Sequence, residues 1–371
     1  MNHYCTYFDR NFLIQGLALA RSLHAHDQGA VLWVLCLDDF THRYFTELGD
    51  EQIRPVPLSA LEDADPALLV AKENRSVVEY YFTLSPCWPR FLLQTHPELE
   101  RITYLDADLF FFASPQPIFE EMEGKSVFIT EHRYPEHLSH HLRCGRFNVA
   151  ILSFRNNPRG LRCLDRWREQ CLDWCHDHVA DGRYADQGYL NEWPSLLGDD
   201  LCISARGGVN LAPWNWAGHE IKVHGAAVQV DGLPLEIFHF ARFRPTAGEF
   251  LFQSGQLEYG IMPWRMRQAI YGPYWRALVE ARAEIRTNYP EFDFPKSRLR
   301  GWHSFWKALG PRLLFGSDWW RIGNIFVSGR FGLGRYSGQL LGLARQHRNQ
   351  TGAEASQGLR DAVSTSPAAD L

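Results

Sequence analysis

Two carboxylates stand one residue apart between apolar stretches in the segment RITYLDADLFFF, residues 101 to 112. In such apolar surroundings Asp106 and Asp108 would destabilise each other unless a cation neutralised them. Carboxylate oxygens are the ligands that Mg²⁺ and Mn²⁺ prefer, and these ions are commonly carried with a diphosphate. The pair therefore indicates a metal and nucleotide site, while a solvated turn, a helix cap and an ordinary ion pair stay open as alternatives.

Alternating strand and helix patterns position this pair. Buried strands are predicted at residues 2 to 7, 31 to 37, 53 to 57, 101 to 105, 126 to 130 and 147 to 154. Helices are predicted at residues 11 to 25 with Asn11 as N-cap, at 76 to 95, within the cysteine-bearing run 160 to 179, and from near Asp186 onward. This alternation is typical of an α/β fold with a mostly parallel sheet flanked by helices. Because open sheets of this kind bind ligands at the carboxyl ends of their strands, Asp106 lies where a ligand is expected.

The pattern changes in the second half of the chain. Asp231-Gly232, between AAVQV and LPLEIFHF, predicts a β-hairpin, and we expect the sheet to become mixed there. Residues 256 to 290 predict an aromatic helix. Residues 296 to 350 carry ten Lys or Arg and a single acid, Asp318, and the polar stretch after residue 350 predicts disorder.

Composition excludes several classes of protein. The chain has 371 residues, 45% apolar and 14% aromatic, which is enough for a large folded core. Its formal net charge of −5 argues against nucleic-acid binding. No apolar run is long enough to span a membrane, and the N-terminus does not resemble a signal peptide, so we expect a cytoplasmic location. The eight cysteines are typical of reduced, buried thiols, and Cys171 and Cys175 fit a helical core stripe better than a zinc site.

Five motifs in order along the chain resemble the GT-A glycosyltransferases of family eight, which includes glycogenin and bacterial lipopolysaccharide galactosyltransferases. The motifs are YCTYFDRNFLIQGLALARSL, YLDADLFF, GRFNVAILSF, DQGYLNEW and IFHFARFRP, within about residues 2 to 246. The resemblance implies a Rossmann-like GT-A catalytic domain at residues 1 to 255. A C-terminal helical, basic aromatic region is expected at 256 to 349 and a disordered tail at 350 to 371. The implied activity is transfer of a sugar from a nucleoside diphosphate, with UDP expected, to an acceptor hydroxyl with retention, in surface glycan or lipopolysaccharide synthesis.

The resemblance also implies a set of charged groups around the diphosphate. Asp106, Asp108 and His239 are expected to bind Mn²⁺ or Mg²⁺, although a lone histidine on an apolar strand is also typical of a core. The family carries a lysine before the proline of its last motif, where this chain has Arg244, with Arg242 two residues earlier. Either guanidinium is expected to stabilise the departing diphosphate.

Four side chains are expected to contact the base and phosphates of the donor. Thr6 and Tyr7 end the first strand, where a hydroxyl can hydrogen-bond a base and a ring can stack on it; Tyr7 fits a core position equally well. The family carries an arginine in the helix after residue 76, where this chain has none in the same place. Lys72 or Arg75 is expected to substitute for it, with a solvated helix face as the alternative.

Three side chains are expected to face the donor sugar, namely Asn148, Asp186 and Gln187. A neutral amide such as that of Gln187 can stabilise positive charge at the anomeric carbon but is a poor covalent nucleophile. Asp186 could instead be the N-cap of the following helix. The family has a glycine where this chain has Ala150, so its backbone approach to the sugar differs here.

Residues 296 to 345 combine Arg with Trp and Phe, which favours either attachment to an anionic membrane surface or a helical subdomain packed on the core. Attachment would place the protein at the inner face of the membrane. Two other functional classes stay open. One is a catalytically silent binder of nucleotide sugars or glycans. The other is a haloacid-dehalogenase-type phosphatase, which has Thr or Val where this chain has Phe110.

Overall fold

The computed structural model describes residues 1–247, 251–253, 259–260 and 262–293. The chain divides into two compact units, Met1–Ala241 with Met262–Phe294, and Arg242–Ile261 with Pro295–Leu371. The predicted basic aromatic segment at 296 to 345 and the predicted tail at 350 to 371 lie outside the described residues.

The first unit alternates strands and helices as its sequence pattern predicts. Its strands are β1 His3–Phe8, β2 Val31–Cys36, β3 Ile53–Pro57, β4 Arg101–Leu105, β5 Leu109–Phe111, β6 Val127–Glu131, β7 Phe147–Arg155, β8 Leu201–Ile203, β9 Val209–Leu211, β10 Ile221–His224, β11 Ala227–Val230, β12 Leu233–Pro234 and β13 Ile237–His239. Its α-helices are α1 Leu13–His26, α2 Asp39–Leu48, α3 Leu58–Ala64, α4 Ala67–Glu73, α5 Val77–Thr95, α6 Gln116–Glu121, α7 Pro158–Asp173, α8 Trp193–Leu197 and α9 Trp264–Asn288. Short 3₁₀ segments lie at Arg10–Phe12, Glu136–Cys144, Gly188–Glu192, Gly198–Asp200 and Trp216–Gly218. In the second unit, β14 Arg244–Ala247 pairs antiparallel with β15 Leu251–Gln253.

A seven-stranded sheet forms the centre of the first unit, in the order β3-β2-β1-β4-β7-β6-β8. The pairs among β1, β2, β3 and β4 are parallel, whereas β7 is antiparallel to both β4 and β6. The predicted α/β class with a mixed, mostly parallel sheet flanked by helices is confirmed. The strand order reverses at β1, because β2 and β3 lie on one side of it and β4 lies on the other. In such sheets, ligands bind in the crevice at the carboxyl ends of the two strands where the order reverses, here β1 and β4.

The place at which the sheet becomes mixed was predicted wrongly. The Asp231-Gly232 hairpin exists, since β11 pairs antiparallel with β12 and both turn residues have positive φ, 53° and 83°. However, it belongs to a separate three-stranded sheet, β10-β11-β12. The reversed strand of the main sheet is β7, whose residues Phe147 to Phe154 are all buried. Strands buried on both faces give the same apolar run in either direction, so the pattern does not reveal orientation.

Helices cover both faces of the sheet, and alternate residues of each strand enter opposite cores. In β1, Tyr4 and Phe8 pack in a cluster with side chains from α1, α2, α6 and α9. Cys5 packs on the other face with side chains from α5, α7 and α8. The polar residues that follow β4 therefore lie at the edge of the sheet formed by the strand ends, between the apolar clusters on its two faces.

One predicted helix cap is corrected, and the alternative of a cap at Asp186 is not supported. The chain first makes a 3₁₀ turn in which the Asp9 carboxylate accepts from the Asn11 backbone N–H at 2.9 Å, so Asn11 is capped and does not cap. Helix α1 then begins at Leu13 without a side-chain cap. Asp186 is likewise not a cap, because Gln187 precedes the next 3₁₀ segment and makes no side-chain cap bond.

The cysteines of the predicted core stripe lie in the interior. Cys163, Cys171 and Cys175 are at most 1% exposed, and all eight cysteines are free thiols. Within the described ranges, no helix is both long enough and apolar enough to cross a lipid bilayer.

Candidate functional site

The two carboxylates sit on a tight turn that joins β4 to β5. The Asp106 N–H donates to the Ala150 carbonyl of β7 at 2.9 Å, and the Leu109 N–H returns to the Asp106 carbonyl at 3.3 Å. The Asp108 carbonyl accepts from the Phe240 N–H at 2.9 Å. The turn is thus clamped on one side by β7 and on the other by the chain after β13.

His239 reaches this turn because β13 pairs antiparallel with β5, in a register that puts His239 opposite Leu109. Its Nε2 lies 3.2 Å from Oδ1 of Asp108 and 4.0 Å from Oδ2 of Asp106. One ligand atom from each of the three side chains lies within 4.8 Å of the others. Among the described residues, no other group of three such side chains converges in this way.

A glycine fixes the strand that carries His239. Strand β13 lies between β5 and β9, and the Gly208 carbonyl accepts from the N–H groups of Glu236 and Ile237 at 3.1 and 3.0 Å. A Cβ on Gly208 would lie 2.5 Å from the Pro234 carbonyl oxygen, closer than real contacts allow. The close approach of the two chain segments, and hence the position of His239, requires glycine at this residue.

Burial and the neighbouring charges shift the pKa values of the cluster's side chains. Burial raises the pKa of Asp106 to about 6; the positive charge of His239 and the Tyr104 hydrogen bond lower it, and Asp108 raises it. Burial alone would lower the pKa of His239, but the attraction and hydrogen bond of Asp108, together with Asp106, raise it above its ordinary value. Without a cation, therefore, Asp106 and His239 bind protons more readily than isolated Asp and His side chains do.

The donor set fits a divalent cation. Two carboxylates and an imidazole supply hard oxygen and nitrogen ligands, as Mg²⁺ and Mn²⁺ require. The side chains of Asp106 and Asp108 are 33% and 21% exposed, whereas that of His239 is 7% exposed. The cluster is therefore closed on the imidazole side and open on the carboxylate side, where further oxygen ligands have access.

Asn148 lies in a buried network next to this cluster. Its side-chain carbonyl accepts from the Ala150 N–H at 3.1 Å and from the Asn210 amide at 2.9 Å, and its own amide contacts His132 Nε2 at 3.1 Å. Burial lowers the pKa of His132 to about 3, so this imidazole is neutral and can accept that hydrogen bond. The Trp214 indole donates to the His132 carbonyl at 2.9 Å and its ring meets that of His239 edge-on, with centroids 5.2 Å apart. The amide predicted to face the sugar is thus used internally, as a support between the sheet and the cluster.

Asp186 and Gln187 lie side by side but differ in their surroundings. Asp186 is 5% exposed, and burial raises its pKa to about 7; a hydrogen bond to Ser85 lowers it and the charge of Asp106 raises it. The Gln187 amide donates to the Cys144 carbonyl at 2.9 Å. Gly145, with φ 130°, leaves room for that amide, because a Cβ there would lie 3.1 Å from Gln187 Cγ. The donated hydrogen bond fixes which way the Gln187 carbonyl oxygen points.

The residues expected to contact the base occupy interior positions. Thr6 is fully buried, with its hydroxyl unpaired among the described residues. Tyr7 is half-buried. Its hydroxyl forms a hydrogen bond with the Ser85 hydroxyl at 2.9 Å, and its ring contacts the Tyr104 ring, with centroids 5.7 Å apart. Of the two interpretations of Tyr7, these contacts favour the core position.

Lys72 and Arg75 make contacts within the helical layer. The Lys72 ammonium pairs with Glu62 at 2.7 Å. The Arg75 guanidinium donates to the Thr83 hydroxyl at 2.5 Å and to the Leu172 carbonyl at 2.6 Å, joining the start of α5 to the end of α7. Their predicted contact with donor phosphate stays a prediction, and these partners would compete with it.

Arg242 and Arg244 belong to the second unit. Arg242 has φ 60°, and its guanidinium lies over the Tyr259 ring, 5.4 Å from the centroid. Arg244 is the first residue of β14. Their predicted role at the diphosphate stays a prediction.

Several residues of the site carry no sequence signal. His132, Asn210 and Trp214 support Asn148 and His239, yet each lies outside the recognisable motifs. Asn210 has a left-handed backbone, φ 67°, which a sequence pattern could not have disclosed. Ser85, within the helix predicted at 76 to 95, is identified as a site residue only through its contacts with Tyr7 and Asp186.

Two proteins of Bacillus subtilis strain 168 are similar to this chain over most of its length. The uncharacterized protein YfnF is 38% identical over 300 residues, which cover 78% of this chain and 96% of YfnF. The uncharacterized protein YfnD is 30% identical over 294 residues, covering 78% and 93%. This chain belongs to their family. No protein-family model matches it.

Solved structures similar to this one include three glycosyltransferases. A complex of the galactosyltransferase LgtC with donor and acceptor sugar analogues shares 15% identity, covers 77% of this chain and 99% of LgtC, and has a TM-score of 0.46. The glycosyltransferase GlyE of Streptococcus pneumoniae shares 14% identity at a TM-score of 0.44, covering 76% and 63%. Mouse xyloside xylosyltransferase 1 shares 16% identity at a TM-score of 0.42, covering 64% and 97%.

Proposed function

We propose that this protein is a metal-dependent glycosyltransferase that moves a sugar from a nucleoside diphosphate, with UDP the expected nucleotide, to an acceptor hydroxyl. One observation carries the proposal: Asp106, Asp108 and His239 bring their ligand atoms within 4.8 Å at the carboxyl end of a central strand. The motif order along the chain supports the same activity, with retention of configuration and a surface glycan or lipopolysaccharide precursor as acceptor.

Each group of residues would have a separate role in such a transfer. Asp106, Asp108 and His239 would hold Mn²⁺ or Mg²⁺, which when bound offsets negative charge on a diphosphate. The bond from the anomeric carbon to the diphosphate breaks, the bond to the acceptor oxygen forms, and the acceptor proton passes to the diphosphate. Arg242 or Arg244 would stabilise that leaving group. The Gln187 carbonyl oxygen, oriented through the Cys144 hydrogen bond, would stabilise positive charge at the sugar carbon.

Release of UDP from UDP-glucose and UDP-galactose tests the proposal. We expect the full chain to release UDP slowly to water with Mn²⁺ and not with EDTA, and Asp108→Ala to abolish this release. Asp63→Ala, which removes an exposed acid from α3, is the matched control and should behave as the wild type. Mn²⁺-dependent binding of UDP without release from any UDP-sugar would instead show a binding protein, and retained release in Asp108→Ala would contradict the metal site.

A further inference from the structure

Three hydroxyl groups lie between the metal cluster and Asp186. The Tyr104 hydroxyl donates to Asp106 Oδ1 at 2.8 Å, and the Tyr7 hydroxyl bonds that of Ser85 at 2.9 Å. The rings of Tyr7 and Tyr104 lie 5.7 Å apart and are tilted by 37°. At one end of the row is a predicted metal ligand, and at the other is the acid predicted to face the sugar.

The row is assembled from three neighbouring elements. Strands β1 and β4 are adjacent and parallel, with Cys5 opposite Tyr104, so Tyr7 and Tyr104 extend from the same face of the sheet. Helix α5 covers that face and contributes Ser85. No two of these three residues are close in sequence, so the row exists only in the folded protein.

Electrostatic interactions connect the row to both acids. Burial raises the pKa of Tyr7, and the charges of Asp186 and Asp106 raise it further. Burial also raises the pKa of Asp186, which a hydrogen bond from Ser85 lowers. The central hydroxyl of the row therefore lies within electrostatic reach of the acids at both ends.

Packing alone does not explain why these hydroxyl groups are buried here. Ser85 and Tyr104 are 1% and 2% exposed, and buried hydroxyls destabilise a fold unless each finds a partner. Alanine and phenylalanine would fill the same space without that demand. A network of this kind does, in return, restrict its members to one arrangement.

We propose that Tyr7, Tyr104 and Ser85 are positioning residues, forming a hydroxyl bridge that fixes Asp186 relative to the metal-binding Asp106. The inference rests on the proposed function, because it concerns how the metal-binding part and the sugar-facing part of that site are held at a fixed separation. A displacement of about 1 Å between groups that hold a substrate can lower a rate by about two orders of magnitude.

Tyr7→Phe tests the bridge at its centre, since it removes one hydroxyl and leaves both acids and the ring in place. We expect kcat for Mn²⁺-dependent UDP release from UDP-galactose or UDP-glucose to fall about tenfold or more. The calorimetric affinity for UDP with Mn²⁺ should stay within about twofold of the wild type. Ser85→Ala should do the same, and the double variant should be no slower than the slower single variant, because each change breaks the same bridge.

Ser153→Ala is the matched control. Ser153 and Thr103 form a buried hydroxyl pair at 2.9 Å between β4 and β7, so the variant loses a similar bond from the same sheet. It should keep the wild-type kcat within about twofold. The bridge is refuted if Tyr7→Phe keeps the wild-type kcat, if Ser153→Ala slows release equally, or if kcat and UDP affinity fall by the same factor. Failure of the wild type to release UDP from any UDP-sugar would overturn the proposed function and the bridge together.

Discussion

Protons and metal should compete for the cluster of Asp106, Asp108 and His239, so metal affinity should fall as pH falls. With a pKa of about 6, Asp106 is mostly ionised at pH 7.5 and about three quarters protonated at pH 5.5. Each ligand must be deprotonated to bind a cation, so Asp106 alone should weaken the Mn²⁺ affinity about fourfold between these pH values. His239, whose pKa is also raised, adds to the loss.

The same binding should appear as thermal stabilisation. Mn²⁺ at 100 times its dissociation constant stabilises the folded state by about 2.7 kcal/mol. The first unit spans about 270 residues, for which 1 kcal/mol moves Tm by roughly 2 °C. We therefore expect a rise of about 5 °C at pH 7.5. At pH 5.5 and the same Mn²⁺ concentration the rise should be smaller by about 1 to 2 °C or more.

Electron paramagnetic resonance of free Mn²⁺ gives the dissociation constant, and differential scanning calorimetry gives the Tm shift against a metal-free sample at each pH. Asp108→Asn should abolish both signals. Asp63→Asn, an exposed acid on α3, should leave them unchanged. An equal Mn²⁺ affinity at pH 5.5 and 7.5, or a full response in Asp108→Asn, would refute the assignment of the cluster as a cation site.

Two further predictions concern buried acids. The folded protein holds a proton on Asp186 up to about pH 7, whereas the unfolded chain loses it near pH 4, so this group's contribution to stability falls as pH rises through that window. Asp186→Asn should therefore raise Tm relative to the wild type at pH 8 and much less at pH 5, and equal effects at both pH values would contradict the buried acid. Asp65 is 8% exposed and accepts two hydrogen bonds from Arg168. Asp65→Ala should cost about 1.5 to 3 kcal/mol in urea denaturation, because it removes two charged hydrogen bonds from a guanidinium whose side chain is only 19% exposed; a loss under about 0.5 kcal/mol would count against this.

Local patterns were sufficient for most of the fold. The apolar runs that became β1, β2, β3 and β4 and the periodic stretch that became α5 were predicted within about two residues of their bounds. Helix α5 even carries its start signal, since Ser76 and Glu79 form a capping box. What local patterns could not supply was strand direction, which depends on which neighbours a strand meets.

The sequence predicts those parts of the site in which the residue type alone indicates a function. Asp106 and Asp108 are conspicuous because charge in an apolar run demands a partner. Tyr7 and Asn148 are not, because an aromatic or amide side chain suits either a ligand or an internal hydrogen bond. The structure uses both in internal hydrogen bonds, with Ser85 and with His132, and these partners lie far away in sequence.

The backbone of the acid turn gives a reason why these distant partners matter. Its Asp106 N–H is bonded to Ala150 of β7, and its Asp108 carbonyl is bonded to Phe240 just after β13. Asn148 lies two residues from Ala150, and its carbonyl oxygen also holds the Ala150 N–H and Asn210 of β9. Since β9 pairs with β13, a displacement of the Asn148 network must move both clamps of the turn. The carboxylates and the imidazole are therefore held in place before any cation arrives, which lowers the cost of ordering them on binding.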